Sequence, residues 1–157
     1  MTGVLTIIFS FASYAFVLLA MFRLFRINYF NPIVKIFATY LEPVSKSIFF
    51  FLNPLLSALA LALLLKFASF YIAYSTGYEP LTLFFISVVD VINSCFRILF
   101  YCVIGSVILS WVAPENNHPL LQIVEEMSGA ILQPIRKFVP PMGGLDFTPI
   151  IGLMLLN

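Results

Sequence analysis

Hydrophobic positions run through this chain in long blocks, with polar residues gathered between the blocks. Val4 to Phe22 carries no charged residue and approaches the ~20 residues needed to cross the hydrocarbon of a bilayer. This predicts a retained membrane-spanning helix, closed by Arg23 and Arg26, both placed to snorkel to lipid phosphates. The pattern then changes period. Over 32–48, Ile33, Ile36, Phe37, Tyr40 and Val44 share one helical face, while Lys35, Thr39, Glu42 and Lys46 share the other. Asn31 is placed to cap this helix and Pro32 to open it. The expectation is a short helix lying in the membrane interface and broken near Pro43; a re-entrant segment packed against the spans is the competing picture.

A second apolar block covers 49–73 and holds Lys66 in its later half. Its small residues Ala58, Ala60 and Ala62 would let a partner helix approach closely. Ser75 to Pro80 has turn chemistry. A third block, 83–112, is longer than one crossing requires, so it tilts or extends past the bilayer, with Trp111 at headgroup level. A second amphipathic stretch, 118–133, sets Leu120, Ile123, Val124, Met127 and Ile131 against Gln122, Glu125, Glu126 and Gln133. The last apolar segment, 147–157, is too short to span. It predicts either the start of a truncated fourth span or a helix that only dips into the lipid.

One phrase occurs twice. Asn31-Pro32-Ile33-Val34 and His118-Pro119-Leu120-Leu121 each follow an apolar block and open an amphipathic stretch. Pro32 and Pro119 lie 87 residues apart, as do Pro54 and Pro141. The expected architecture is an all-α polytopic membrane protein of two parallel repeats, each a helix, an interfacial amphipathic helix and a second helix. The first repeat covers 1–74, a short loop covers 75–82, and the second repeat covers 83–157.

Composition supports a lipid environment. The chain has 157 residues, 62% hydrophobic and 10% charged, with a mean hydropathy of +1.07. A globular fold of this size cannot hide so much apolar surface. A net charge of +1 gives no reason to expect nucleic acid as a partner. Arg23, Arg26, Lys35 and Lys46 lie around the first amphipathic stretch, and Arg136 and Lys137 follow the second. The positive-inside rule puts both stretches in the cytoplasm and the N-terminus outside.

Candidate chemistry is sparse. Asp90, Asn93 and Arg97 are spaced to share one face of the third block. With Lys66 they form either a packing clasp or a polar pathway; the third reading is simple snorkelling of exposed groups. The phrase from Pro140 to Asp146 contains Gly143 and Gly144, which permit a tight turn, with Asp146 capping the helix that follows. Together with Arg136 and Lys137 it could also cradle a headgroup phosphate or a partner. His118 is the only histidine and reads as a helix-start residue. Cys95 and Cys102, seven apart on one helix, are too distant to bridge and read as apolar residues. Glu125 and Glu126 point apart, and Ser110 has no His or Asp partner at readable spacing. No metal, cofactor or catalytic constellation is expected.

The asparagine–proline phrase, the amphipathic helix, Pro134-Ile135-Arg136-Lys137 and Pro140-Pro141-Met142-Gly143-Gly144-Leu145-Asp146 resemble the bacterial YggT (YlmG) family of integral membrane proteins. The likeness covers essentially the whole chain and is strongest over 110–157. The first repeat departs from it, with Ser47-Ile48-Phe49-Phe50 in place of the basic phrase and no Gly-Gly-Leu-Asp after Asn53-Pro54. The resemblance implies a multi-pass bacterial inner-membrane protein. Relatives have been linked with envelope and osmotic-stress tolerance, with cell division or nucleoid organisation, and with haem attachment to cytochrome b6 in plastids. The expected function is a non-enzymatic scaffold or assembly factor that meets lipid headgroups and other membrane proteins. The alternative is a small channel or transport subunit acting as a homo-oligomer.

Overall fold

A computed structural model describes residues 2–112, 118–138 and 148–156. Among them are six helices and no strand: α1 (Thr2–Leu24), α2 (Pro32–Ile48), α3 (Pro54–Tyr74), α4 (Pro80–Val112), α5 (Pro119–Arg136) and α6 (Thr148–Leu156). Five of the six start at proline or carry one in their first turn, where a missing N–H costs nothing. Asn31 Oδ1 accepts from the Ile33 N–H at 3.0 Å and opens α2. Asn53 does the same for Leu56 at 2.8 Å and opens α3. His118 Nδ1 accepts from Leu120 at 3.3 Å and opens α5.

Three helices, Gly3–Leu24, Pro54–Tyr74 and Pro80–Leu109, are long and apolar enough to cross a membrane. The protein is an all-α polytopic membrane protein. α3 begins later than the apolar block does, because Phe49 to Asn53 form a turn ahead of the Asn53 cap. α4 begins earlier than expected, with Pro80 at its first position. α6 spans nine described residues.

One expectation fails. α2 is not broken at Pro43 but runs through it to Ile48. The proline and Thr39, whose carbonyl it leaves without a partner, are both exposed, so that carbonyl can meet water or headgroups. Similarly, α5 continues through Pro134 to Arg136. The small residues of α3 divide, with Ala60 half-buried. Ala58 and Ala62 are fully buried, in the α3 face that packs along the length of α1.

α1 and α3 form the axis of the fold. Their contact is tight because small and hydroxyl side chains line it. Ser13 Oγ donates to the Ala62 carbonyl at 2.7 Å, Ser10 and Ser69 hydroxyls lie 2.8 Å apart, and Ser69 Oγ donates to the Thr6 carbonyl at 3.0 Å. In lipid, such bonds and close backbone approach supply the association that a hydrophobic drive cannot. α4 packs against α3, α1, α5 and α6, and α2 packs against α1, α3 and α5. The buried core joins Phe16, Leu19 and Phe22 of α1 to Val34, Leu61, Val91 and Met127.

α1 ends in a Schellman motif. The Ile27 N–H reaches the Phe22 carbonyl at 3.0 Å and the Arg26 N–H the Arg23 carbonyl at 3.4 Å, with Arg26 in the left-handed region at φ 54°. Glycine is the usual residue there. The buried pair Ile27 and Phe22 supplies the hydrophobic contact that accompanies the motif.

Candidate functional site

Polar groups collect at two levels of the molecule. The first lies inside the helix bundle. Lys66 Nζ of α3 is 2.8 Å from Asp90 Oδ2 of α4. The same ammonium lies 5.0 Å from the ring centroids of Tyr14 and Phe70. Both members are well inside their helices. Asp90 is about 15 Å from the Pro80 end of α4 at 1.5 Å of rise per residue, half the ~30 Å thickness of a hydrocarbon layer. Lys66 is buried, and its carboxylate partner and two aromatic faces together replace the water it has lost.

Of the four residues expected to cluster, only these two meet. The buried stripe of α4 runs through Leu83, Ser87, Val91, Ser94 and Leu99. Asp90 flanks that stripe, and Asn93 and Arg97 turn beyond it. They are exposed and line a separate groove with Phe96, Phe100, Tyr101 and Leu156.

The second level lies where α1 gives way to α2. Glu42 is buried despite its place among the polar positions of α2. Arg23 Nη2 donates to Glu42 Oε2, and Lys46 Nζ sits 2.9 Å from Glu42 Oε1. The Arg23 guanidinium also lies over the Tyr29 ring, 4.5 Å from its centroid. Burial pushes the Glu42 carboxyl up, but the bonds from Arg23 and Lys46 and their charges outweigh it and hold it below its ordinary value. Sequence pattern missed this cluster by grouping Glu42 with Lys35, Thr39 and Lys46 on one polar face. The available signal was a basic residue closing a span opposite a Glu–Lys pair spaced i, i+4.

α2 therefore has three faces rather than two. Val34, Glu42 and Ser45 are buried against the spans. Ile36, Tyr40, Val44 and Ile48, each four residues after the last, form an exposed apolar stripe. Lys35, Thr39 and Lys46 form an exposed polar one. α5 differs, because Ile123, Met127 and Leu132 are buried in its packing on α4 and α6. The Cys102 thiol lies 3.9 Å from Met127 Sδ, and both cysteines are free.

The starts of α2 and α5 are tied together. Asn31 Nδ2 donates to the Pro119 carbonyl at 2.7 Å while Asn31 Oδ1 caps α2. The Asn28 N–H donates to Glu126 Oε2 at 2.8 Å. Arg136 and Lys137 are exposed at the end of α5. Gly143, Gly144 and Asp146 lie outside the described residues, as do the side chains of Ser110 and Trp111. Among the described residues no three His, Cys, Asp or Glu side chains gather as a metal site would require.

The profile of the CCB3/YggT family matches residues 85–157. An uncharacterised protein of Pseudomonas aeruginosa is 32% identical over 144 residues, which covers 86% of this chain and 73% of that protein. The chain belongs to the CCB3/YggT family. Another uncharacterised relative, from Haemophilus influenzae, is 28% identical over 144 residues, covering 89% of this chain and 78% of its own length. The uncharacterised protein YggT of Escherichia coli is 34% identical over 59 residues, 38% of this chain and 31% of that protein. No solved structure matches.

Proposed function

We propose that this CCB3/YggT protein is a non-enzymatic scaffold or assembly factor of the bacterial inner membrane. It presents α2 and the end of α5 on the cytoplasmic face to lipid headgroups and to other membrane proteins, with its N-terminus on the periplasmic side. The observation that carries this reading is the three-faced α2. One face is locked to the spans by Glu42 and Ser45, and the stripe from Ile36 to Ile48 and the exposed Lys35 beside it are left open. Phe30, Phe50 and Phe51 extend the apolar surface at either end of the helix. The basic residues of both amphipathic segments, including Arg136 and Lys137, support the cytoplasmic placement.

The alternative, a channel subunit, draws on the Lys66–Asp90 pair and the serines beside it. Against it, Val17, Ala20, Ala58 and Leu61 are buried and make an apolar layer between that pair and the Arg23–Glu42 cluster. A pore would then need several copies.

Purification of the tagged chain in mild detergent, with particle-mass determination, separates the two. The scaffold reading expects another membrane protein in fixed stoichiometry, lost when Ile36→Ser and Tyr40→Ser are combined, with helicity unchanged. A lone symmetric homo-oligomer, with ion flux abolished by Asp90→Asn, would replace it with the channel reading.

A further inference from the structure

We propose that the groove between α4 and α6 holds the phosphate of an anionic phospholipid, with Arg97 as its cation and Asn93 as a second donor. Arg97 is exposed on the outward side of a membrane-spanning helix. Among the described residues no carboxylate pairs with it, and Asp90, the nearest acid along its own helix, is engaged by Lys66. A bare guanidinium facing lipid is costly unless it reaches a counter-charge.

Position supplies one. Arg97 lies about 26 Å along α4 from Pro80 at 1.5 Å per residue, close to the far edge of a ~30 Å hydrocarbon layer. That edge is the leaflet in which α4 leads into α5, so the side chain reaches phosphate level. The groove has a cavity of about 430 Å³ lined by Asn93, Phe96, Arg97, Phe100, Tyr101 and Leu156. Its chemistry is divided as a phospholipid is divided. A planar guanidinium binds phosphate oxygens in pairs, the Asn93 amide and the Tyr101 hydroxyl donate beside it, and Phe96, Phe100 and Leu156 offer apolar surface to an acyl chain. Among the described residues no acid lines the groove, so its charge favours an anion. α2 packs on neither α4 nor α6, so failure of this site leaves the scaffold reading standing.

The test is native mass spectrometry of the full chain in neutral detergent, with phosphatidylglycerol and phosphatidylcholine of identical acyl chains added in turn. The wild-type chain is expected to retain one phosphatidylglycerol in preference. Arg97→Gln should weaken that retention about tenfold, the loss of one charge-assisted bond. Arg97→Lys should recover only part of it, and Arg136→Ala with Lys137→Ala should leave it intact. Equal retention of the two lipids by the wild type, or undiminished retention by Arg97→Gln, overturns the proposal. Displacement by millimolar inorganic phosphate overturns it in favour of a soluble-anion site. Should Arg97→Gln misfold, photoactivatable phosphatidylglycerol on the wild-type chain decides. Label on the stretch from Phe96 to Tyr101 supports the site, whereas label confined elsewhere, or α4 cross-linked to α4 of a second copy, overturns it.

Discussion

A carboxylate held between two cations makes stability depend on its protonation. Glu42 is such a group, buried and bound by both Arg23 and Lys46. Its folded pKa lies below the ordinary 4.5, so as the pH falls the unfolded chain takes up the proton first. The stabilisation is therefore fully present above about pH 4.5 and is lost as pH falls through the lower folded value. Glu42→Gln should cost about 2 kcal/mol at neutral pH, the scale of charge-assisted hydrogen bonds to a partly buried group. It should also flatten the acid limb of the stability curve. Thermal unfolding in detergent from pH 7 to pH 3, wild type against variant, measures both; an unchanged acid limb would remove Glu42 from this role. The residue was hidden from pattern reading because helical periodicity sorts positions by polarity. A polar residue that faces inward to meet a charge is sorted to the wrong side.

Between elements, buried Lys66 and half-buried Asp90 join α3 to α4. The clasp reading makes a definite prediction. If it is a clasp, removing one member leaves a buried charge without its partner, and Asp90→Asn alone should cost about 3–5 kcal/mol. The double variant Lys66→Met with Asp90→Asn should recover most of that loss, since neither charge remains to be compensated. Additive losses in the four-member cycle, measured by unfolding, would count against the clasp. A smaller effect is expected at the end of α1. Arg26 holds a left-handed conformation at φ 54°, so Arg26→Gly should raise stability by about 0.5–1 kcal/mol, read as a rise in melting temperature. The starts of α2 and α5 were legible, because asparagine–proline and histidine–proline pairs announce a cap and a first helical residue together, whereas the same pair at Asn53-Pro54 opens α3 inside an apolar block that masked it. The continuity of α2 past Pro43 was not. Whether a proline interrupts a helix depends on where the freed carbonyl of Thr39 can go, and that is decided by exposure rather than by sequence.

Across the whole molecule, the order of long helix, proline-opened amphipathic helix and further helix occurs twice, but the two halves are not equivalent. Positions 87 residues beyond Arg23 and Glu42 are Ser110 and Gly129, so the surface ion cluster belongs to the first half alone. Its α2 keeps an exposed apolar stripe at Ile36, Tyr40, Val44 and Ile48, while α5 buries Ile123 and Met127. Gly105 shows why α5 can sit so close: a Cβ there would lie 3.2 Å from Val124 Cγ1, tighter than an ordinary contact. The sequence repeat announced the helices and their order, but not how the halves meet. That junction uses backbone groups, which carry no residue signature: the Pro119 carbonyl accepts from Asn31, and the Asn28 N–H donates to Glu126. Asn31 is the hinge of this arrangement because its two side-chain atoms do different work. Asn31→Asp keeps an oxygen for the Ile33 N–H, and so keeps the cap, but has no N–H to give Pro119. It should leave the helicity of α2 intact while costing about 1 kcal/mol at the junction, the net value of one hydrogen bond. Hydrogen exchange locates the loss. Protection should fall at the start of α5 and in the Asn28 to Asn31 loop, and hold along the body of α2. Uniform loss along α2 would mean that Asn31 serves the helix rather than the junction, and that the halves are held together by the packing of α4 on α1 and α3.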